Sequence, residues 1–531
     1  MVPRVRIPGL VLVAVSLSLS LSAQQSPDPA PPVINESIDV RVMNMETVVT
    51  DAQGRRVQGL TAADFRLLVD GREVPVDYFS EVTDGAPAAP APAEPAAAAS
   101  TVPAPVPAAG GRSILVFIDL ELSLKTQLAQ VLGGLEEQLD RLGTEDRVAV
   151  VAFGQGRLTV LSDWTGDQRA VRAALARASK LPSGGLGAVR ADRDSLRQDD
   201  ELNMIVAQVS DGAAEGGPPS RAWHSLAQVH KAMAASTAAL RGFAGAPGRK
   251  TALLLSGGWP VDDPAVFLDL VDTANRLGYT LYPVDVAGLD TQALPDDIGD
   301  QRRFRPNTLR IGYVASDWEH ATHDTFEGLA RWTGGKMLLN GNRMDALASL
   351  VADTSSYYWL GFTPRWHGDG QRHRVSLEVR RPGLRARTRR DFTDVARASE
   401  SAQALSARLA LGRGMDRPRL AVVLGPSKRA GSGLVDVPLT VGVPIEALSF
   451  APKEGGYEAA VSAQVTLLDA QQNAAEMHPL ELRVAVKERP AAGMARFQTT
   501  VRMRREEKRL RVLVPDTLHD SILWGEGAVS R

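Results

Sequence analysis

The sequence predicts an α/β fold: a doubly wound, mainly parallel sheet, preceded by an N-terminal β module and followed by a C-terminal β-sandwich. Three observations carry this. Apolar runs at Ile114–Ile118, Val148–Phe153, Ala252–Leu255, Leu281–Val286 and Met337–Leu339 are continuous rather than alternating, the pattern of strands covered on both faces. Between them, Leu124–Leu142, Gln168–Ala178, Met204–Leu240, Pro264–Leu277 and His323–Trp332 place apolar residues at i, i+3 and i+4, as helices packed on a sheet do. Beyond about Asp394 the pattern changes: Val435, Val437, Leu439, Val441 and Val443 alternate strictly, as do Tyr457, Ala459, Val461, Ala463, Val465 and Leu467. Period two buries one face and wets the other, and a second sheet is the natural cover.

Taken in order, the chain begins with Arg4 and Arg6, an apolar run from Ile7 to Leu21 and the small residues Ser22 and Ala23. That layout predicts a signal peptide over 1–23, cleaved from a secreted or periplasmic protein. The run is short of the roughly twenty residues a spanning helix needs, so no transmembrane segment is expected in the mature chain. Residues 34–83 read as the β module: Val40, Val42, Val48 and Val49 are extended, Asp51-Ala52-Gln53-Gly54 and Asp70-Gly71 are turns, and Val74, Val76 and Tyr78 alternate as a return strand. Residues 85–111 are almost all Ala and Pro, a linker composition. The α/β domain then occupies 112–355. A β meander extension follows over 356–394, with turns at His367-Gly368-Asp369-Gly370 and Pro382-Gly383. A helical link over 395–430 leads to the sandwich at 431–531.

With 44% hydrophobic and 23% charged residues, the 531-residue chain is a folded protein with several cores. Sixty basic against 62 acidic residues create no field that would gather nucleic acid, which is not expected as a partner. The absence of cysteine removes disulfides, thiolate zinc sites, iron–sulfur clusters and cysteine nucleophiles. No Gly-x-Ser-x-Gly elbow and no Gly-Lys-Ser/Thr phosphate loop occurs, so no catalytic residue emerges and a non-enzymatic protein is expected. His320, His323 and Asp324 read as exposed helix residues. Arg385, Arg387 and Arg389 share one face of a strand, either a solvated hairpin face or a contact for an anionic polymer.

Several separated stretches resemble a known family. They are Val48-Val49-Thr50-Asp51-Ala52-Gln53-Gly54, Val57-Gln58-Gly59-Leu60-Thr61-Ala62-Ala63-Asp64-Phe65, Val69-Asp70-Gly71 and Asp77-Tyr78-Phe79-Ser80. Further on come Gly248-Arg249-Lys250 before Leu253-Leu254-Leu255-Ser256-Gly257-Gly258, then Thr333-Gly334-Gly335, then Ser356-Tyr357-Tyr358-Trp359-Leu360-Gly361-Phe362-Thr363-Pro364. In that order they resemble the acidobacterial von Willebrand factor A (VWFA)-related domain proteins. The resemblance implies a VWFA-like α/β domain that binds proteins or matrix. Many such domains hold a divalent cation at the strand ends through an Asp-x-Ser-x-Ser loop, a Thr from a second loop and an Asp from a Thr-Asp-Gly-like turn.

Here that pattern is degenerate. The first loop reads Asp119-Leu120-Glu121-Leu122-Ser123, the second aligns with Ser183-Gly184-Gly185-Leu186, and Gly257 stands where the last Asp would be. No cofactor is therefore expected, and Asp119 and Ser123 read as caps of the helix that starts near Leu124. The alternative is a residual magnesium or calcium site at Asp119, Glu121 and Ser123, serving metal-dependent adhesion or sensing. The expected partner surface comprises Asp119, Ser123, Ser183, Leu186, Ser256, Gly257, Gly258 and Trp259, with Trp259 either an exposed anchor or a cover over a helix end. The expected function is that of an exported adhesion or scaffold protein for an unknown protein or glycan.

Overall fold

The computed structural model describes residues 42–83, 86–87, 111–184, 220–287 except 262, and 308–413 except 340. It also describes 420–528 apart from 432, 449, 454–455, 469–473, 477–479, 489–491, 505–508 and 517–520. The signal-peptide reading over 1–23 and nearly all of the Ala/Pro linker lie outside the described residues. The described part begins with β1 (Met43–Thr50), β2 (Phe65–Val69), β3 (Arg72–Val74), β4 (Tyr78–Thr83) and β5 (Ala86–Pro87). The return strand read through Val74, Val76 and Tyr78 is thus two strands, with Val76 between them.

The α/β region contains β6 (Arg112–Asp119), α1 (Lys125–Glu137), β7 (Arg147–Gly154), β8 (Arg157–Thr165) and α2 (Gln168–Ala178). It continues with α3 (Ser220–Gly242), β9 (Arg249–Ser256), α4 (Leu268–Leu277), β10 (Tyr279–Asp285), α5 (Thr308–Thr333), α6 (Gly341–Met344) and α7 (Ala346–Thr354). The sheet order is β10-β9-β6-β7-β8; all neighbours are parallel except β8, which runs antiparallel along β7. Helices cover both faces. Leu128, Val131 and Leu132 of α1, Val171 and Leu175 of α2, and Leu347 and Leu350 of α7 pack on one side with Ile114, Val116 and Ile118. On the other side Val229 and Leu240 of α3, Leu270 and Val271 of α4, and Phe326 and Leu329 of α5 pack with Leu115 and Phe117. Neighbouring residues of β6 serve opposite cores, which is why its apolar run has no polar interruptions.

Two elements depart from the sequence reading for clear reasons. The run Met337–Leu339 adds no strand: Leu338 makes a single parallel bridge to Val284. The edge strand β8 escapes the pattern because it needs no continuous apolar run. Its Arg157 and Asp163 are exposed, Thr159 and Ser162 are half-buried, and Leu161 alone is buried.

The largest correction concerns residues 34–83 and 356–394, read as separate pieces. The latter carries β11 (Ser356–Phe362), β12 (Asp369–Val379), β13 (Arg385–Arg387) and β14 (Asp391–Val395). β11 lies between β1 and β4, β13 pairs with β1, and β12 pairs with β2. Both segments share one core of Met45, Phe65, Leu67, Tyr358, Leu360 and Phe392. Neither piece has enough strands for a stable core alone; together they make a β domain into which the α/β region is inserted.

The seam between these two regions is polar and buried. Arg387 of β13 reaches both oxygens of Asp353 on α7 at 2.7 Å, and Arg56 and Lys336 reach the same carboxylate at 3.2 and 2.8 Å. Arg389, only 2% exposed, pairs with Glu46 of β1 and donates to the Asn275 carbonyl at 2.9 Å. The basic stripe is therefore not one solvated face: Arg385 is exposed, but Arg387 and Arg389 turn inward. Two of its three guanidiniums hold the regions together.

The helical link is a helix only over α8 (Arg397–Ala410). From residue 421 the chain already belongs to the last domain, as β15 (Ala421–Leu424) and β16 (Lys428–Gly431). Then come β17 (Leu434–Pro444), β18 (Ala451–Lys453), β19 (Gly456–Leu468), β20 (Ala474–Glu476) and β21 (Leu480–Val486). β22 (Met494–Arg504), β23 (Arg509–Asp516) and β24 (Ser521–Ala528) complete it. One sheet joins β15, β16, β17 and β22; the other joins β18, β19, β20, β21, β23 and β24. Val437, Val441 and Phe497 from the first share a core with Ala463, Val465 and Val512 from the second.

Candidate functional site

Parallel pairing of β6 with β9 sets the site. Ile118 lies opposite Leu255, so the last residues of the two strands, Asp119 and Ser256, emerge side by side at the carboxyl end of the sheet. Open α/β sheets place ligands at this end. The Asp119 carboxylate is fully buried, and four donors converge on it. Ser256 Oγ donates to Oδ2 at 2.7 Å and Trp259 Nε1 to the same oxygen at 2.9 Å. The backbone N–H groups of Glu121 and Leu122 donate to Oδ1 at 3.0 and 3.2 Å. Burial pushes the Asp119 carboxyl above its ordinary range, with these four hydrogen bonds pulling the other way. Three of the four donors cannot accept, so the acceptor-only carboxylate is the form that satisfies them.

Around this centre the loops close on one another. Ser183 Oγ donates to the Ser123 carbonyl, and Gly184 N to the Leu120 carbonyl at 2.7 Å. Glu121 Oε1 accepts from Gly156 N at 2.8 Å, in the turn between β7 and β8. A Cβ at Gly257 would lie 2.2 Å from the Leu122 carbonyl oxygen. That approach explains glycine where the related pattern has Asp: no side chain fits there. Gly257→Asp and Gly257→Ala are both expected to cost about 1–3 kcal/mol, because the collision is with the Cβ that they share. Thermal melting checks this, and an unchanged midpoint for Gly257→Ala would count against the close packing.

Several sequence readings are corrected here. Of the two readings of Trp259 the exposed anchor fails: it is 0% exposed, its ring edge-on to Phe326 of α5 with centroids 5.8 Å apart. Asp119, Ser123, Ser256 and Gly258 are buried too, so most of the expected partner surface faces inward. Glu121, Ser183 and Gly257 are partly exposed, and Leu186 lies outside the described residues. Ser123 does not cap α1: the capping position is Leu124, with no side-chain hydrogen bond, and Ser123 Oγ is buried without a partner among the described residues. The role missed by sequence reasoning is that of Trp259 as donor to Asp119. Its signal was a tryptophan just after an apolar strand end, since a buried indole N–H seeks an acceptor.

Magnesium asks for about six oxygens in near-octahedral array, calcium for about six to eight. Asp119 has both oxygens engaged, Gly257 brings none, and the Trp259 indole stands against the carboxylate. This donor set does not fit such a cation. No family model matches the sequence and no curated protein is similar to it. Among solved structures, the pilus adhesin SpaC from Lactobacillus rhamnosus GG aligns at 8% identity, TM-score 0.24, over 79% of this chain. The chain spans 57% of that adhesin's length. An uncharacterized membrane spanning protein from Vibrio fischeri aligns at 17% identity, TM-score 0.12, over 46% of this chain and 98% of its own. At these scores neither likeness carries an argument. No helix among the described residues is long and apolar enough to cross a membrane.

Proposed function

We propose that this chain is an exported, non-enzymatic binding protein of the VWFA-related kind, and that its α/β domain engages a protein or glycan without a divalent cation. The observation that carries this is the Trp259 indole on Asp119 Oδ2, at 2.9 Å, where a cation would otherwise sit. The parallel sheet with helices on both faces and an Asp at the end of its first strand supports the VWFA-like reading. The basic, apolar and small-residue segments of 1–23 support export. With the strand-end centre filled, partner contact falls to the loops around it.

Calorimetric titration of the mature chain with magnesium, manganese and calcium tests the reading. No stoichiometric binding is expected, and a partner captured on the chain from 111 to 394 with residues 42–87 retained is expected to stay bound in chelator. Stoichiometric cation binding that Asp119→Ala abolishes, or a partner released by chelator, would overturn it in favour of metal-dependent adhesion.

A further inference from the structure

A second cluster of metal-binding groups lies in the β domain, away from the strand-end centre. Asp369, His373 and Asp394 each offer a ligand atom, all within 4.8 Å of one another. Asp369 and His373 come from β12 and Asp394 from β14, across an irregularity in the pairing: Asp369 lies opposite Val395, but the next partners are Arg372 and Thr393. Such a bulge re-aims side chains.

The three ligands differ in character, as a built site requires. His373 Nδ1 is 2.8 Å from Asp70 Oδ2, in the turn between β2 and β3. Donation from Nδ1 leaves the imidazole lone pair on Nε2, and a carboxylate behind a histidine is the usual support for a metal ligand. The ring is held as well, stacked on Phe392 at a centroid distance of 5.0 Å. Asp394 is 0% exposed, and its oxygens accept from His367 N at 2.6 Å and Gly368 N at 3.0 Å. These two backbone donors fix the direction of the Asp394 carboxyl group, and no ion pair to it occurs among the described residues. Asp369 is exposed and opens the cluster to solvent.

We propose that Asp369, His373 and Asp394 bind a borderline divalent cation of the zinc class, with Asp70 as the positioning residue behind His373. One imidazole nitrogen and two carboxylates suit zinc better than magnesium, and water would complete the coordination. Bonds of about 2.0–2.2 Å require the three side chains to draw together on binding, and Asp369 is exposed, its carboxylate held among the described residues by a single hydrogen bond, from Gln371 N to Oδ1 at 2.9 Å.

The test is calorimetric titration of the untagged mature chain, stripped with chelator, with zinc chloride near neutral pH. One equivalent is expected to bind. Asp369→Asn and His373→Ala are each expected to weaken it at least about tenfold, and Asp70→Asn about 10–100-fold with the stoichiometry kept. Zinc binding that is absent, or that Asp369→Asn and His373→Ala leave unchanged, overturns the proposal; the latter would point to His323 and Asp285, 3.4 Å apart. Asp369 is a surface residue, so Asp369→Asn carries the test alone if circular dichroism shows His373→Ala misfolded.

Discussion

Trp259→Ala is expected to cost the α/β domain about 3–5 kcal/mol, the range for emptying a fully buried aromatic site. Two losses combine. The cavity removes the indole from its edge-on contact with Phe326 and from the core it shares with Val261 and Phe267. It also strips one donor from a carboxylate that burial already penalises. An acid raised by folding binds more protons when folded than when unfolded, so its ionisation weakens the fold as pH rises from its ordinary value to its folded one. Removing the indole N–H raises the folded value further and widens that window. Trp259→Phe weights the second effect, since it keeps a six-membered ring in the site and leaves a smaller cavity while losing the donor. About 1–3 kcal/mol is expected for it. Amide hydrogen exchange of β6 and β9 localises the loss to this domain of a multi-domain chain. Unchanged exchange in Trp259→Ala would sink the view that this residue is the plug of the strand-end centre.

How far the sequence alone could go is visible in particular elements. Gln168–Ala178 is read as a helix and is one, residue for residue, because its apolar stripe of Val171, Ala174, Leu175 and Ala178 is unbroken and Asp167 caps it. The central strands are legible because both their faces are buried. β8 is not, since an edge strand satisfies its wet face with polar residues. The union of β1 with β11 could not be read from either segment: such pairing is a contact between residues some 300 positions apart, and nothing local encodes it. The site shows the same division. Glycine at 257 marked the missing carboxylate, but the reason for it, the Leu122 carbonyl, lies on another loop. The orientation of Trp259 was equally invisible, because an indole beside two glycines can point to solvent or to a buried acceptor. Only the arrival of Asp119 from β6 decides between them.

Asp353→Ala is expected to cost about 3–5 kcal/mol and to loosen the seam between the α/β and β domains, as breaking a buried ion pair from one side does. The carboxylate is 3% exposed and serves four partners: Arg387 and Arg56 from the β domain, Lys336 and the Tyr282 hydroxyl, at 2.8 Å, from the α/β domain. Its removal leaves Arg387 and Arg56 beside each other with no countercharge. Burial by itself would raise the Asp353 carboxyl, but Arg387 and Lys336 outweigh it and hold the group far below the ordinary carboxylate range. The sign of the pH dependence follows. A depressed acid stabilises the fold fully above its unfolded value, about 3.9, and that contribution disappears as pH falls below it toward the folded value. The wild-type chain should therefore lose stability steeply below about pH 4, and Asp353→Asn, already weakened at neutral pH, should lose less over the same interval. Calorimetric melts of both proteins between pH 3 and 7 measure the difference, in which the acid dependence of the other carboxylates cancels. Parallel slopes would show that Asp353 does not hold the two domains together by charge.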